Sequence, residues 1–108
     1  MRYLVTMETV DSGESLPPPE QAAFLEATVI SSLEALKAWE DGGKISGGIL
    51  AGRRGVAFVA DAASNEELGD MLRQLPVWGT AEVDITPLES FAHVIKATGD
   101  TANMLKSM

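Results

Sequence analysis

The sequence lacks cysteine, and it contains a single histidine, His93, among its 108 residues. The absence of cysteine excludes disulfide bridges, thiolate metal ligands and a cysteine nucleophile, and it fits a reducing compartment. One imidazole and scattered carboxylates do not make up the ligand set of a zinc or transition-metal site. We therefore expect no metal site, and nothing in the sequence indicates a bound cofactor.

Positive charge is also scarce. Eight lysines and arginines stand against 16 aspartates and glutamates, so the net charge is −8. Nucleic acids and anionic membrane surfaces both need clustered cations, and we expect neither as a partner. The sequence has no apolar run of membrane-spanning length, and its first residues lack the cleavage pattern of a signal peptide. These absences predict a cytoplasmic protein.

The middle of the sequence predicts a β-hairpin. Lys44–Ala51 and Val56–Asp61 are short apolar stretches with strand-forming residues, and Gly52–Gly55 (Gly-Arg-Arg-Gly) supplies a tight turn between them. Gly47 and Gly48 weaken the first strand, as glycines do at a bulge or where another group approaches closely. Both faces of the hairpin are apolar, so we expect both to be covered.

One strand and one helix precede the hairpin. Arg2–Glu8 alternates in the manner of a strand, and the proline-rich Val10–Pro19 forms a loop. The apolar residues of Glu20–Asp41 recur every three or four positions, which predicts an amphipathic helix. They are Ala22, Leu25, Val29, Leu33 and Leu36. The glycine pair at 42–43 then ends the helix, with one glycine in the left-handed conformation.

A second helix and a last strand follow the hairpin. Ser64-Asn65-Glu66-Glu67 has the spacing of a capping box, in which the Ser64 hydroxyl binds the Glu67 amide and the Glu67 carboxylate reaches back. A helical stripe follows, and Pro76 ends the helix. The stripe consists of Leu68, Met71, Leu72 and Leu75. Ala81–Thr86 then alternates as a strand.

The order strand, helix, strand, strand, helix, strand predicts an α+β fold over residues 1–90. It is the ferredoxin-like βαββαβ type, a four-stranded antiparallel sheet with two helices on one face. The open sheet face needs a partner, and a homodimer that packs sheet against sheet, a dimeric α/β barrel, would supply it. Residues 91–108 form a C-terminal extension that either packs on a neighbouring subunit or frays, with a helical turn at Thr101–Lys106.

Ordered residues between Ile49 and Leu88 carry a family resemblance. They are Ala51-Gly52-Arg53, Val59, Asp61, Ser64, Glu67-Leu68, Leu75-Pro76-Val77-Trp78 and Thr86-Pro87-Leu88. In this order and nearly this spacing they resemble the muconolactone δ-isomerase family. The sequence departs from that pattern at Val29, where the resemblance implies a glutamate, and at Gly43–Gly48, where it implies aromatic and histidine side chains.

The resemblance implies a dimeric α/β barrel, often assembled into larger homo-oligomers, and a cofactor-free isomerisation. The implied reaction moves a proton on an unsaturated lactone that carries a carboxylate, and so shifts its double bond. This chemistry needs a base for the acidic proton, a donor for the enolate-like oxygen and a cation for the carboxylate.

Candidates for these roles are few. Arg53 matches the family pattern, and it either binds a ligand carboxylate or lies in a solvated turn. The same two interpretations apply to Arg54, which does not match the family pattern. Glu26 lies at the edge of the first helix's apolar stripe. It is either a candidate proton carrier or a solvent-exposed residue beside the stripe. His93 is a candidate proton carrier or a surface or interface residue.

Other residues are candidates for ligand contact only. Gly47 and Gly48 would leave ligand space beside the sheet, with strand irregularity as the alternative. Trp78 is a ligand contact or an anchor in the core or an interface. Three functions stay open: a cofactor-independent isomerase-like protein for a small carboxylated or lactone-like metabolite, a non-catalytic ligand-binding or assembly module, and, by fold analogy alone, a cofactor-free monooxygenase.

Overall fold

The computed structural model describes residues 1–10 and 15–108, so part of the predicted loop Val10–Pro19 lies outside the described residues. The strands and α-helices of the described part are β1 (Arg2–Thr9), α1 (Pro18–Phe24), α2 (Ser31–Asp41), β2 (Ile45–Ile49), β3 (Gly55–Asp61), α3 (Asn65–Arg73), β4 (Ala81–Leu88) and α4 (Phe91–Lys106). A π-helical segment, Leu25–Ile30, joins α1 to α2, and a 3-10 helix, Pro76–Thr80, precedes β4. The predicted βαββαβ order is present, and α4 is added at its end.

The four strands form one antiparallel sheet in the order β2-β3-β1-β4. β1 lies inside the sheet, where Val5 is opposite Phe58 of β3 and Ile85 of β4. Opposite residues share a face, and alternate residues of a strand do so too. Tyr3, Val5 and Met7 are accordingly buried together on the helix-covered face. The predicted four-stranded α+β fold is confirmed.

The hydrophobic core lies between this face and the helices. The stripe of α3 buries Leu68 and Leu72, and burial of a side chain such as Leu72 contributes about 1.5–3 kcal/mol. The buried core residues are Tyr3, Val5, Met7, Ile45, Phe58, Ala60, Ala62, Leu68, Leu72 and Leu75. On the opposite sheet face Leu4 is 38% exposed, so that face has an apolar residue open to a partner.

The helix predicted for Glu20–Asp41 is present, but its middle is π-helical at Leu25–Ile30. The Ser31 hydroxyl donates to the Glu26 carbonyl, five residues earlier, at 3.1 Å. This side-chain bond gives the Glu26 carbonyl a partner within the wider π-helical turn. The three- and four-residue spacing of the apolar residues does not reveal such a turn. Gly43 follows α2 with a φ of 75°, as predicted for a glycine cap.

The predicted capping box at the start of α3 is also present. The Ser64 hydroxyl accepts from the Glu67 amide at 3.1 Å. The Glu67 carboxylate reaches back to the Ala63 amide at 2.9 Å, one residue before the cap. Pro76 begins the 3-10 helix, so the chain turns tightly between α3 and β4.

The helix at the end of the chain is longer than the single turn predicted at Thr101–Lys106. α4 begins after Ser90, whose hydroxyl accepts from the His93 amide at 3.1 Å, and it continues to Lys106. This N-terminal cap explains where the helix starts. Across residues 1–10 and 15–108, no helix is both long enough and apolar enough to cross a membrane.

Candidate functional site

A cavity of about 410 Å³ lies between the helical wall and one end of the sheet. β1 and β2 end there, and β3 and β4 begin there. Its apolar lining includes Met7, Leu25, Val29, Leu33, Val56 and Ala81. Leu25 and Val29 belong to the π-helical segment, a type of turn that occurs often at functional sites. The volume suits a small organic ligand.

Polar side chains are few in this lining. They are Thr9, Gln21, Ser32, Arg53 and Arg54. The described part of the lining contains no carboxylate or imidazole. A mostly apolar cavity with a small number of polar groups is typical of sites for small molecules, because the apolar wall gives affinity and the polar groups fix orientation.

The two arginines are positioned by the turn between β2 and β3. The Arg53 amide donates to the Leu50 carbonyl at 3.1 Å, and the Arg54 carbonyl accepts from the Thr9 amide at 2.8 Å. The turn is therefore anchored to the residue that follows β2 and to the end of β1. Gly52 within it has a φ of 77°, a conformation in which a Cβ would be strained.

Both arginines already have partners. The Arg53 guanidinium forms an ion pair with Glu8, with side chains 62% and 42% exposed respectively. An ion pair this exposed contributes at most about 1 kcal/mol, because water screens the charges. Arg54 also has an interaction partner. A ligand carboxylate at Arg53 would thus compete with Glu8.

Ser32 is the one polar side chain that is buried in the described residues. Its hydroxyl donates to the Thr28 carbonyl at 2.7 Å and accepts from the Val77 amide at 3.0 Å. The second bond joins α2 to the 3-10 helix before β4. Ser32 therefore fixes two walls of the cavity relative to each other.

A second depression of about 330 Å³ contains Gly47 and Gly48 and shares Leu33 with the first. The two glycines differ in what surrounds them. A Cβ at Gly47 would collide with the backbone of Ala57 and Phe58 in β3, whereas one at Gly48 would meet nothing within 4 Å. Gly47 thus allows β2 to lie close to β3, and Gly48 lies beside open space.

The other predicted site residues lie outside the lining of both depressions. Glu26 is exposed on the π-helical segment, and His93 is exposed on α4. Trp78, in the 3-10 helix, is 37% exposed. The structure thus brings Arg53 and Arg54 to the first cavity, while the roles of Glu26, His93 and Trp78 stay predictions. Residues 1–10 and 15–108 contain no cluster of three or more histidines, cysteines or acidic residues suited to a metal ion.

Sequence reasoning missed Thr9, Gln21 and Ser32. The periodicity contains a signal for two of them, since Thr9 continues the β1 alternation two residues past Met7, and Ser32 lies three residues past Val29 on the helix. A polar residue on an apolar stripe is a candidate cavity residue, because burial without a partner would be costly. The resulting arrangement suits a small anion with an apolar body, its carboxylate at the arginines.

Comparisons with known proteins agree with this fold. The muconolactone δ-isomerase family model matches residues 1–93. A crystal structure of muconolactone isomerase, at 3.3 Å resolution, is 24% identical with a TM-score of 0.66, over 83% of this chain and 90% of that chain. That likeness shows the fold. No curated protein matches the sequence. Because the family model covers most of the chain, the chain belongs to the muconolactone δ-isomerase family.

Proposed function

We propose that the chain binds a small carboxylated or lactone-like metabolite in the cavity of about 410 Å³ and shifts a double bond in it without a cofactor. The cavity is the observation that carries the proposal. It is apolar within and has two arginines on its rim, in a chain of the muconolactone δ-isomerase family. One solved structure with a similar fold is that of muconolactone isomerase.

The polar groups suggest how the ligand would be oriented. The carboxylate would bind the Arg53 guanidinium at the rim, and the ring would lie against the apolar wall. The hydrogen of the Ser32 hydroxyl is engaged with Thr28, which leaves Thr9 and Gln21 as donors for an enolate-like oxygen. Such donors act strongly in an apolar site, because little water competes with them.

Whether a proton carrier reaches the bound ligand decides between two functions. Glu26 and His93 are the predicted carriers, and catalysis would require the ligand or a second subunit to bring one of them to the cavity. Because the described lining has no carboxylate or imidazole, ligand binding without catalysis is the second candidate function. Both functions use the same cavity and the same arginines.

One experiment separates them. Butenolide carboxylates are titrated into the protein, and binding is followed by calorimetry and hydrogen exchange by NMR in heavy water. The isomerase function predicts saturable binding together with loss of the acidic ring-proton signal as deuterium enters. Binding without exchange supports the second function, and no saturable binding refutes both.

Charge-neutralising variants test the anion anchor. Arg53→Gln should weaken binding about tenfold, or about 1.4 kcal/mol, by removing a charged hydrogen bond. Glu8→Gln should strengthen binding by up to about fivefold, because it frees the Arg53 guanidinium from an ion pair worth at most about 1 kcal/mol. Arg73→Gln, which removes an exposed cation paired with Asp70, is the matched control and should leave affinity unchanged. Equal affinities in all three variants would exclude Arg53 as the anchor.

We further propose a homodimer through the open sheet face. Leu4 is 38% exposed there and lies opposite Val59 of β3, so the face has an apolar centre. Leu4→Glu should lower the dimer fraction seen by light scattering. Ile30→Glu, at a residue 46% exposed on the helical side, is its control. A dimer fraction unaffected by Leu4→Glu would contradict this interface.

A further inference from the structure

The second depression is continuous with the cavity that we propose as the ligand site. It has a volume of about 330 Å³ and lies between α2 and β2, a strand at the edge of the sheet. Among the described residues, those that line both spaces are all apolar, and they are Leu33, Leu36, Ile49 and Val56. An apolar group can therefore pass from the cavity into the second depression along a wall that needs no polar partner.

The second depression is long rather than round. Its β2 wall runs from Ile49, at the junction with the cavity, to Ile45, a distance of about 13 Å in an extended strand. Its α2 wall runs from Leu33 to Glu40, a distance of about 10 Å along a helix. The buried side chain of Phe58 lines it from β3. These dimensions suit an extended chain better than a second ring.

The glycine pair of β2 lines the second depression with backbone alone. Close packing on β3 explains the glycine at position 47, because a Cβ there would collide with the Ala57 and Phe58 backbone. At Gly48 a Cβ would meet nothing within 4 Å, and the residue does not have a positive φ, so neither packing nor conformation requires glycine. Glycine weakens a strand and is typical of positions where a ligand approaches the backbone closely. Gly48 therefore indicates that a ligand approaches β2.

Charge gives such a ligand a direction. Arg53 and Arg54 line the cavity and do not line the second depression. The charged side chains of the second depression are Lys37 and Glu40, and the Lys37 ammonium already donates to Asp41 at 2.9 Å. A ligand carboxylate is therefore favoured at the arginines, and the Glu40 carboxylate repels it from the other end. The second depression is left for an uncharged, apolar part of the ligand.

We propose that the ligand is an amphipathic anion, a small ring with a carboxylate at one end and an unbranched apolar chain of several carbons at the other. The ring lies in the cavity, and the chain passes Leu33 and Ile49 and lies in the second depression against Phe58. The chain covers Leu33 and Ile49, which are otherwise 38% and 61% exposed. This inference rests on the proposed function and deepens it, because it names the substituent that the site accepts.

A series of butenolide carboxylates tests the chain. The ring carries a methyl, butyl or hexyl group on the carbon remote from the carboxylate, and a tert-butyl ligand is the matched control for butyl, because it holds the same carbons in a compact shape. A fully buried methylene raises affinity about fourfold, and a half-exposed one about twofold. In calorimetry the hexyl ligand should therefore bind about thirtyfold more tightly than the methyl ligand, and butyl more tightly than tert-butyl.

NMR locates the chain in the complex with the hexyl ligand. Phe58 lines the second depression and not the cavity, whereas Met7 and Val29 line the cavity and not the second depression. Nuclear Overhauser contacts should therefore join the terminal methyl of the chain to the Phe58 ring. Contacts of that methyl with Met7 and Val29 alone, or an affinity that does not depend on chain length, would overturn the proposal.

Variants at the junction test the path of the chain. Leu33→Gln makes the junction polar without adding charge, and Ile30→Gln is the matched control, since Ile30 is 46% exposed and lines neither space. The ratio of hexyl to methyl affinity should fall several-fold in Leu33→Gln and stay unchanged in Ile30→Gln, and equal ratios would contradict the proposal. If the methyl ligand binds and lengthening adds nothing, this inference fails while the proposed function stands. If no ligand of the series binds, both fail.

Discussion

Replacement of Ser32 by alanine tests how the cavity walls are held together. The Ser32 hydroxyl is the link between α2 and the 3-10 helix, and it is buried. Ser32→Ala removes this hydroxyl with little change in volume. The variant leaves the Val77 amide without its partner, while the Thr28 carbonyl loses only an additional bond.

The expected loss of stability follows from that amide. A partly buried donor without a partner costs about 1–3 kcal/mol. Alanine is a better helix former than serine by about 0.5 kcal/mol, which offsets part of this cost. Ser32→Ala should therefore lower the free energy of unfolding by about 1–2 kcal/mol.

Urea unfolding at a fixed protein concentration measures the effect, because self-association would otherwise change the apparent stability. The midpoint should fall with an unchanged m-value. Ser31→Ala is a matched control in the same helix, since the Ser31 hydroxyl donates only to the exposed Glu26 carbonyl. It should change the stability by no more than about 0.5 kcal/mol. Equal losses in the two variants would refute the role of the Val77 bond.

Two further predictions concern the sheet and α2. Gly47→Ala should lower the free energy of unfolding by about 1–3 kcal/mol, because the added Cβ has no room beside β3. Gly48→Ala, the control, should be tolerated, because nothing lies within 4 Å of its Cβ. Comparable losses of stability for the two variants in urea unfolding would contradict this prediction. The pKa of Lys37 is raised above its ordinary 10.5, because the ammonium donates to Asp41 at 2.9 Å and is attracted by its charge. The pair's stabilisation is thus complete at neutral pH and is lost as pH rises through the raised pKa. In an NMR titration Asp41→Asn should return that pKa toward 10.5, and an unchanged pKa would exclude Asp41 as its cause.

The secondary structure was largely predictable because its causes are local. Alternation placed β1, three- and four-residue spacing placed the long helix, and the Ser64 hydroxyl placed the start of α3. The π-helical segment was not predicted, because a spacing pattern does not show how many residues a turn contains. α4 was underestimated, since a mixed sequence with Gly99 and threonines gives a weak helical signal.

The site was predictable only in part. Arg53 and Arg54 were recognised as candidates, and the turn places both on the cavity rim. Thr9 and Ser32 were missed, because their periodicity puts them on apolar faces where only apolar residues were expected. Neither Glu26 nor His93 lines the cavity, so their roles as proton carriers stay predictions.

The sequence by itself determined the order of strands and helices, the helix caps, the turn between β2 and β3, and membership of the family. These features depend on residues close together in the chain or on an ordered set of motifs. Only the tertiary structure decided where the cavity lies and what its rim can bind. The bond from Val77 to Ser32 and the pair of Arg53 with Glu8 each join residues 45 positions apart, and no local pattern contains such distances. Cavities and ion pairs arise where elements meet, so their chemistry becomes visible only after the sheet and helices are packed together.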